Sequence, residues 1–256
     1  MIFSNLVDAN LNTDFIGRNL EYYSRLASTN DEAWELITEK APSGSIVITD
    51  NQFKGRGRFG NEWISAPNMG LTFSLILYDL KNLHKLPFMI GVSVCEALKE
   101  FNFKIKLKWP NDIILNNKKI GGILCESKNI NNGKTVVIGL GMNVNEKADD
   151  FPENLRKSAI SLSMVSNKTF QRERVLAKIL NHFEKNLDLL DRKNLELFKK
   201  WKSFCNHLNK EVTFHYNNVN LVGRFINISD KGNAIIEINN RQEEFSSGIV
   251  EINNTI

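Results

Sequence analysis

Apolar positions along the chain fall in two rhythms, one helical and one alternating. In STNDEAWELITEK, Ala33, Trp34, Leu36 and Ile37 share a helical face. A capping box, with Thr29 as cap and Glu32 reaching back to it, predicts where that helix begins. SGSIVITDNQ predicts a strand through Ile46, Val47 and Ile48. LTFSLILY sets Leu71, Phe73, Leu75 and Leu77 against Thr72, Ser74, Ile76 and Tyr78, a strand with one wholly apolar face. Pro87 opens a helix running to about Phe101, because proline is tolerated in a first helical turn. KIKLKW then alternates Ile105, Leu107 and Trp109 with Lys104, Lys106 and Lys108. DIILNNKKIGGILCES reads as a hairpin with NNKK near its turn, and TVVIGLGMNVN as a further strand. Residues 146–168 are polar and irregular, a surface connection. ERVLAKILNHFEKNLDLL places Val175, Leu176, Ile179, Leu180, Phe183 and Leu187 on one face, and a second helix includes Leu195, Phe198, Trp201 and Leu208.

From about residue 209 the rhythm shortens. EVTFHY, LVGRFINIS, AIIEIN and EEFSSGIVEI are short strands separated by Asn, Gly and Asp, the pattern of a small β-barrel. The expected division is a large unit over residues 1–208 and the barrel over 209–256. The balance of 42% apolar and 24% charged residues supports a real core. A formal net charge of +4 suits an anionic small molecule or an acidic protein partner, and is too mild for a dedicated nucleic-acid binder. Cys95, Cys125 and Cys205 are far apart and odd in number, which argues for reduced thiols in a cytoplasmic protein. The N-terminus lacks the pattern of a signal peptide, and no apolar run approaches membrane-spanning length.

Five short stretches carry candidate chemistry. GRGRFG, residues 55–60, combines glycines that let backbone N–H groups approach a ligand with arginines whose planar forks match phosphate oxygens. A mobile hairpin tip with solvated arginines explains it equally well, and it is not a Walker loop. KWPNDI presents Asn111 and Asp112 after a strand end, although a turn held by Asx bonds is the commoner reason for that pattern. KKIGGIL sets Lys119 before a glycine pair that weakens a strand unless something must approach its backbone; a hairpin lysine facing solvent is the alternative. IGLGMNVN lacks the third glycine of a dinucleotide fingerprint, and a glycine-lined wall against a flat ligand fits it better. STN, residues 28–30, is fully explained as a helix cap, but the same helix start attracts oxygen-rich ligands. The four histidines show no ligand spacing.

Taken in order, STN, Q-x-x-GRGRxGxxW, KWPNDI, K-x-GGIL-x-E and GxGxN resemble the biotin protein ligases, closely over residues 23–145 and more loosely in the tail. The resemblance implies an α+β fold: a mixed sheet packed with helices, akin to class II aminoacyl-tRNA synthetases, followed by an SH3-like barrel. It implies that biotin and MgATP yield biotinyl-5′-adenylate, which then acylates one lysine of a biotin carboxyl carrier protein. Attack of a carboxylate on the α-phosphate gathers negative charge, so fixed cations and Mg²⁺ must neutralise it. By this resemblance Lys119, Arg58 and Asp112 are catalytic. Ser28, Thr29, Asn30, Gln52, Arg56, Gly57, Gly122 and Gly139, with Arg58 and Lys119, surround biotin. Gly55, Trp63, Asn111, Gly141 and Asn143, with Arg56, Arg58 and Lys119, serve the nucleotide. Arg56 to Arg58 form a closing loop, Trp63 walls the nucleotide pocket, and Asp112 orients the incoming lysine.

Two positions depart from the family pattern. Asn61 stands where a third arginine is frequent, and, if Gly248 is the barrel glycine, Asn253 stands where an arginine would follow. About twenty residues precede RLASTN, too few for a helix-turn-helix module, so the expectation is a ligase without DNA binding, with the oligomeric state, a homodimer included, left open. Lipoate or octanoate ligation on a related fold is the nearest alternative. A nucleic-acid-binding module is a more distant one.

Overall fold

The computed structural model describes residues 1–130, 133–191, 195–217 and 219–253. Strands β1 (Leu20–Tyr23), β2 (Ile46–Thr49), β3 (Leu71–Tyr78), β4 (Lys106–Lys108), β5 (Asp112–Leu115), β6 (Lys118–Ile130) and β7 (Gly133–Met142) form one sheet in the order β1-β2-β3-β7-β6-β5-β4. β1 runs parallel to β2 and the other neighbours are antiparallel, so the sheet is mixed, as the resemblance implies.

Strand alternation decides what covers each face. Leu71, Phe73, Leu75 and Leu77 of β3 enter the main core with the buried residues of α3 (Leu86–Lys99), α5 (Arg172–Asn186) and α7 (Leu195–Phe204). α3 has proline in its first turn and is apolar nearly all round, which suits a helix held between the sheet, α5 and α7. On the opposite face Val47, Ile76 and Val137 pack against Ala33 and Ile37 of α2 (Thr29–Thr38). That cover stops at Ile76. Beyond it, Ser74 of β3 and Gly139 of β7 meet only the first turn of α2, and Thr72 and Gly141 continue the same face into an open cleft.

Several local expectations shift. Ser28, not Thr29, caps α2: it is extended, and its hydroxyl accepts from the Asp31 N–H at 3.4 Å. Glu32 accepts from Tyr23 OH at 2.8 Å instead of closing a capping box, because Thr29 is already helical. The connection over 146–168 contains a short helix, α4 (Leu162–Ser166), capped by Ser161. Leu208 lies beyond the end of α7, and the Leu195 side chain lies outside the described residues. One short helix, α1 (Ser4–Asp8), has no counterpart in the sequence reading, and the helix read through Leu190 divides after Asn186, its end forming α6 (Asp188–Asp191). The NNKK hairpin is present: Asn116 and Asn117 both have positive φ, 50° and 61°, the pair a two-residue type I′ turn needs. Asn239 and Asn240 repeat it between β10 (Ala234–Ile238) and β11 (Arg241–Phe245). Much of the scattered asparagine thus serves left-handed turns.

β8 (Glu211–Tyr216), β9 (Val219–Ile228), β10, β11 and β12 (Ile249–Ile252) form an antiparallel sheet in the order β11-β10-β9-β8-β12. Three strand spacings, about 14 Å in a flat sheet, separate β8 from β11. Yet the Phe214 and Phe245 rings are only 4.6 Å apart. The sheet is therefore rolled around Phe214, Phe225, Ile236 and Val250, although among the described residues β11 and β12 do not pair to close it. This unit docks on the large one through Trp109, whose indole N–H donates to the Gly232 carbonyl at 3.0 Å and whose ring lies 6.0 Å from Phe214. Among the described residues no helix is long and apolar enough to cross a membrane.

Candidate active site

Register builds the floor of the uncovered face. Thr72 pairs with Gly141, Gly141 with Gly122, Gly122 with Asp112, and Asp112 with Lys108. The next row is Ser74, Gly139 and Leu124, and the row under α2 is Ile76, Val137 and Glu126. Side chains in a row share a face. The glycines leave a depression bounded by polar groups.

The start of α2 forms one wall. Gln52 Oε1 accepts from the Thr29 backbone N–H at 2.8 Å and lies 3.2 Å from Thr29 Oγ1, satisfying a helix-start donor that would otherwise be orphaned. Ser74 Oγ stands 2.8 Å from Thr29 Oγ1 and 2.6 Å from Asn30 Oδ1. A Cβ on Gly139 would come within 2.5 Å of Asn30 Oδ1, so that glycine is required by the amide above it. Ser28, Thr29, Asn30 and Gln52 are all buried and all line the cleft.

The GRGRFG segment folds as a small hairpin over the floor. Gly57 N donates to Asn61 O at 2.7 Å and Trp63 N to Gly55 O at 3.0 Å, with Phe59 and Gly60 at positive φ in its tip. Its arginines have different fates. Arg56 grips both Asp31 oxygens, at 2.6 and 2.7 Å, and reaches Glu126 Oε1 at 3.2 Å; those contacts hold its guanidinium above the ordinary arginine value. Arg58 is half-buried and has no carboxylate within ion-pair distance among the described residues; desolvation lowers its pKa, with Asp112 opposing. The indole of Trp63 lies against Gly141 where a Cβ would sit, and its Nε1 is buried without a partner.

The far wall holds the charges. Lys119 Nζ lies 2.6 Å from Asp112 Oδ1 and Lys108 Nζ lies 3.2 Å from Oδ2. Asn111 Nδ2 donates to the Ile123 carbonyl at 2.7 Å, leaving Oδ1 as its acceptor. Gly248 and Ile249 of the C-terminal unit complete the lining.

The fold thus gathers Arg56, Gly57, Arg58, Trp63, Asn111, Asp112, Lys119, Gly122, Gly139 and Gly141 with the α2 group in one cleft. Two expected residues are not in its lining. Gly55 is part of the hairpin ladder, pressed against the Trp63 carbonyl. Asn143 is buried behind the floor, where its Nδ2 donates to Ile160 O at 3.0 Å. Of the departures from pattern, Asn61 lines the cleft, whereas Asn253 bonds Thr213 and Glu211 instead. Sequence reasoning gave no role to Ser74, Lys108 or Glu126. Glu126 Oε2 accepts from Asn30 Nδ2 at 2.9 Å and from Trp34 Nε1 at 3.2 Å, so it joins the hairpin's Arg56 to the α2 wall. The signals existed: Glu126 falls on the Gly122 side of an alternating strand, and Thr72 and Ser74 are small polar residues opposite an apolar face.

A glycine-floored cleft on a mixed sheet, with Lys119 and an arginine hairpin at its rim, suits a flat ligand that carries negative charge. Residues 22–143 match the Biotin/lipoate A/B protein ligase family, and residues 207–252 match the Biotin protein ligase C terminal domain. The chain is similar to the bifunctional ligase/repressor BirA of Bacillus subtilis, 32% identical over 94% of this chain and 76% of that protein. It is also similar to the chloroplastic biotin–protein ligase 1 of Arabidopsis thaliana, 33% identical over 69% of this chain and 49% of that protein. Among solved structures, the biotin protein ligase from Aquifex aeolicus in complex with biotin and ATP superposes with a TM-score of 0.80, at 31% identity over 91% of this chain and 98% of that one. The chain belongs to the biotin/lipoate A/B protein ligase family, and within it to the biotin ligases.

Proposed function

We propose that the chain binds biotin and ATP, joins them as biotinyl-5′-adenylate with release of pyrophosphate, and transfers the biotinyl group to a lysine of a biotin carboxyl carrier protein. The observation that carries this reading is the arrangement around the glycine floor: half-buried Arg58, without a carboxylate of its own, faces the Lys119–Asp112 pair across the cleft mouth. A guanidinium desolvated in this way, with Asp112 offsetting only part of the cost, gains when an anion arrives. Arg58 and Lys119 would offset charge on the α-phosphate and acid oxygen, the term that dominates such a transition state. Arg56, already engaged by Asp31 and Glu126, would hold the hairpin down.

Ser28, Thr29, Asn30 and Gln52, with Ser74, would meet the polar ring of biotin; they already bond one another, and an aliphatic chain such as octanoate would bring this polar cluster no donor or acceptor, which favours biotin over lipoate. Trp63 and the Gly122–Gly141 floor would receive the flat base. Asp112 would orient the acceptor's lysine. Among the described residues no cluster of three acidic or thiol/imidazole ligands could form a protein-made metal cage. Mg²⁺ fits as an ion carried mainly by the ATP phosphates, with Asn111 Oδ1 as the oxygen at hand, since Lys108 and Lys119 hold both oxygens of Asp112. When bound it would neutralise phosphate charge. We also place the division between the ligase unit and its C-terminal cap near residue 208. Incubating the protein with MgATP, biotin and a carrier domain tests the reading: the carrier should gain the mass of one biotinyl group, and excess lipoate or octanoate should not suppress it. Absence of the gain with a competent carrier, or suppression by those acids, contradicts it.

A further inference from the structure

β4 and β5 meet so that Lys108 stands directly opposite Asp112 in the ladder. Cross-strand partners of opposite charge in that position stabilise one another. Lys108 Nζ holds Asp112 Oδ2 at 3.2 Å while Lys119 Nζ holds Oδ1 at 2.6 Å. Both oxygens of the carboxylate are therefore covered by ammonium groups of the chain itself.

The two lysines differ in freedom. Lys108 lies between buried Leu107 and Trp109, and its side chain is 22% exposed. Lys119 sits beside a register shift of the β5–β6 ladder, is 43% exposed, and its ammonium group lies over Gly122, 3.6 Å from where a Cβ would stand. An incoming amine needs an Asp112 oxygen, and the more mobile lysine is the one that can release it.

We propose that Lys108 is a positioning residue for the transfer step. It keeps Oδ2 and so fixes the plane of the Asp112 carboxylate. Lys119 leaves Oδ1 for the acid under activation, and the acceptor's amino group takes Oδ1. In the transfer the amine nitrogen bonds to the acyl carbon and the acyl–phosphate C–O bond breaks. AMP departs with that electron pair, and the proton of the amine passes to Asp112. Lys108 exchanges no proton; it acts through Asp112. This inference rests on the ligase reading given above.

The two half-reactions separate the roles. Lys108→Met keeps the apolar stem and removes the charge; Lys108→Arg restores a cation. Adenylate formation is followed as biotin-dependent exchange of labelled pyrophosphate into ATP. Transfer is followed in single turnover from ready-made biotinyl-5′-AMP to a purified carrier domain. For Lys108→Met the exchange rate should stay within about threefold of the parent, the scale of losing one partly exposed ion pair. The transfer rate should fall roughly tenfold to a hundredfold, the cost of a misplaced reacting group. Lys108→Arg should recover most of the transfer rate. Equal loss in both steps, unchanged transfer, or no recovery by arginine overturns the proposal. Thermal melting of each variant runs alongside, and if Lys108→Met does not fold, the same split is read on Lys108→Gln. If the parent protein itself shows neither exchange nor transfer, the ligase reading fails instead.

Discussion

Single atoms decide most of the chemistry at the floor. Gly139 and Gly141 are glycine because Asn30 and the Trp63 indole occupy the space a Cβ would take. Gly141→Ala should therefore displace Trp63 and weaken nucleotide binding, seen as a raised KM for ATP in pyrophosphate exchange; an unchanged KM would remove Trp63 from the nucleotide site. Lys119 is the nearest cation to Asp112 and borders the open floor. Lys119→Ala should slow adenylate formation by roughly 10²–10³-fold, the usual cost of one fixed charge or donor at a developing anion. A fall of that size in exchange rate, with the melting temperature preserved, is the expected result; exchange at the parental rate would show that charge is met elsewhere.

At the level of elements, the hairpin and α2 are coupled by a fork of charges. Arg56 bonds Asp31 on α2 and Glu126 on β6, and the three side chains are 31% to 51% exposed. Such pairs contribute about 1 kcal/mol or less each and weaken with salt. The latch is thus strong enough to seat the loop and weak enough to open. Glu126→Gln retains an acceptor for Asn30 and Trp34 but removes the negative charge facing Arg56. Trypsin should then cut after Arg56 or Arg58 several times faster than in the parent, and added salt should narrow the difference. Equal cleavage would mean that the hairpin is held by its own backbone bonds.

This is also the scale at which the sequence was most and least informative. Alternation in LTFSLILY and the glycine-rich motifs of β6 and β7 placed the strands and the floor, because burial on one face leaves a period that survives in the residue order. The expectation of a loop free until an anion arrives did not anticipate Asp31 and Glu126. Those partners are 25 and 70 residues from Arg56, and only the packing of α2 on the sheet and the register of β6 bring them together. Thr29 was chosen as the cap because the capping-box pattern fits it, yet Ser28 fits as well and is the extended residue. Asn143 followed the GxG floor in sequence but turns behind it, because the strand ends at Met142.

For the whole molecule, stability and activity meet at two buried places. Phe214 is the centre of the rolled C-terminal sheet and touches Trp109 at the cleft wall. Phe214→Ala should cost about 3–5 kcal/mol in denaturant unfolding and lower activity as well, since Gly248 and Ile249 hang from the same core. The second place is Glu146, fully buried beside Gly70 and Val144 where β3 begins and β7 ends, with Oε1 unpaired; burial raises its pKa to about 7 despite Arg172 nearby. A carboxyl raised in the folded state favours folding below its unfolded value of 4.5, and that contribution is lost as pH rises toward 7. Glu146→Gln should therefore gain on the order of 2–3 kcal/mol relative to the parent between pH 5 and pH 8, measured by urea unfolding at both pH values. A constant difference would place the carboxyl's titration elsewhere.

Under the proposed function, the chain shelters an activated acyl-nucleotide beneath an arginine hairpin until an amine arrives. Trapping with hydroxylamine tests this most directly. The protein is loaded with biotin and MgATP, freed of excess substrate and mixed with hydroxylamine, and biotinyl hydroxamate is followed with time. The parent should release it slowly and lose its bound adenylate at once when a carrier domain is added. Arg58→Gly should release it rapidly and biotinylate bystander lysines. Equal, fast release from both proteins would contradict the sheltering role of the hairpin.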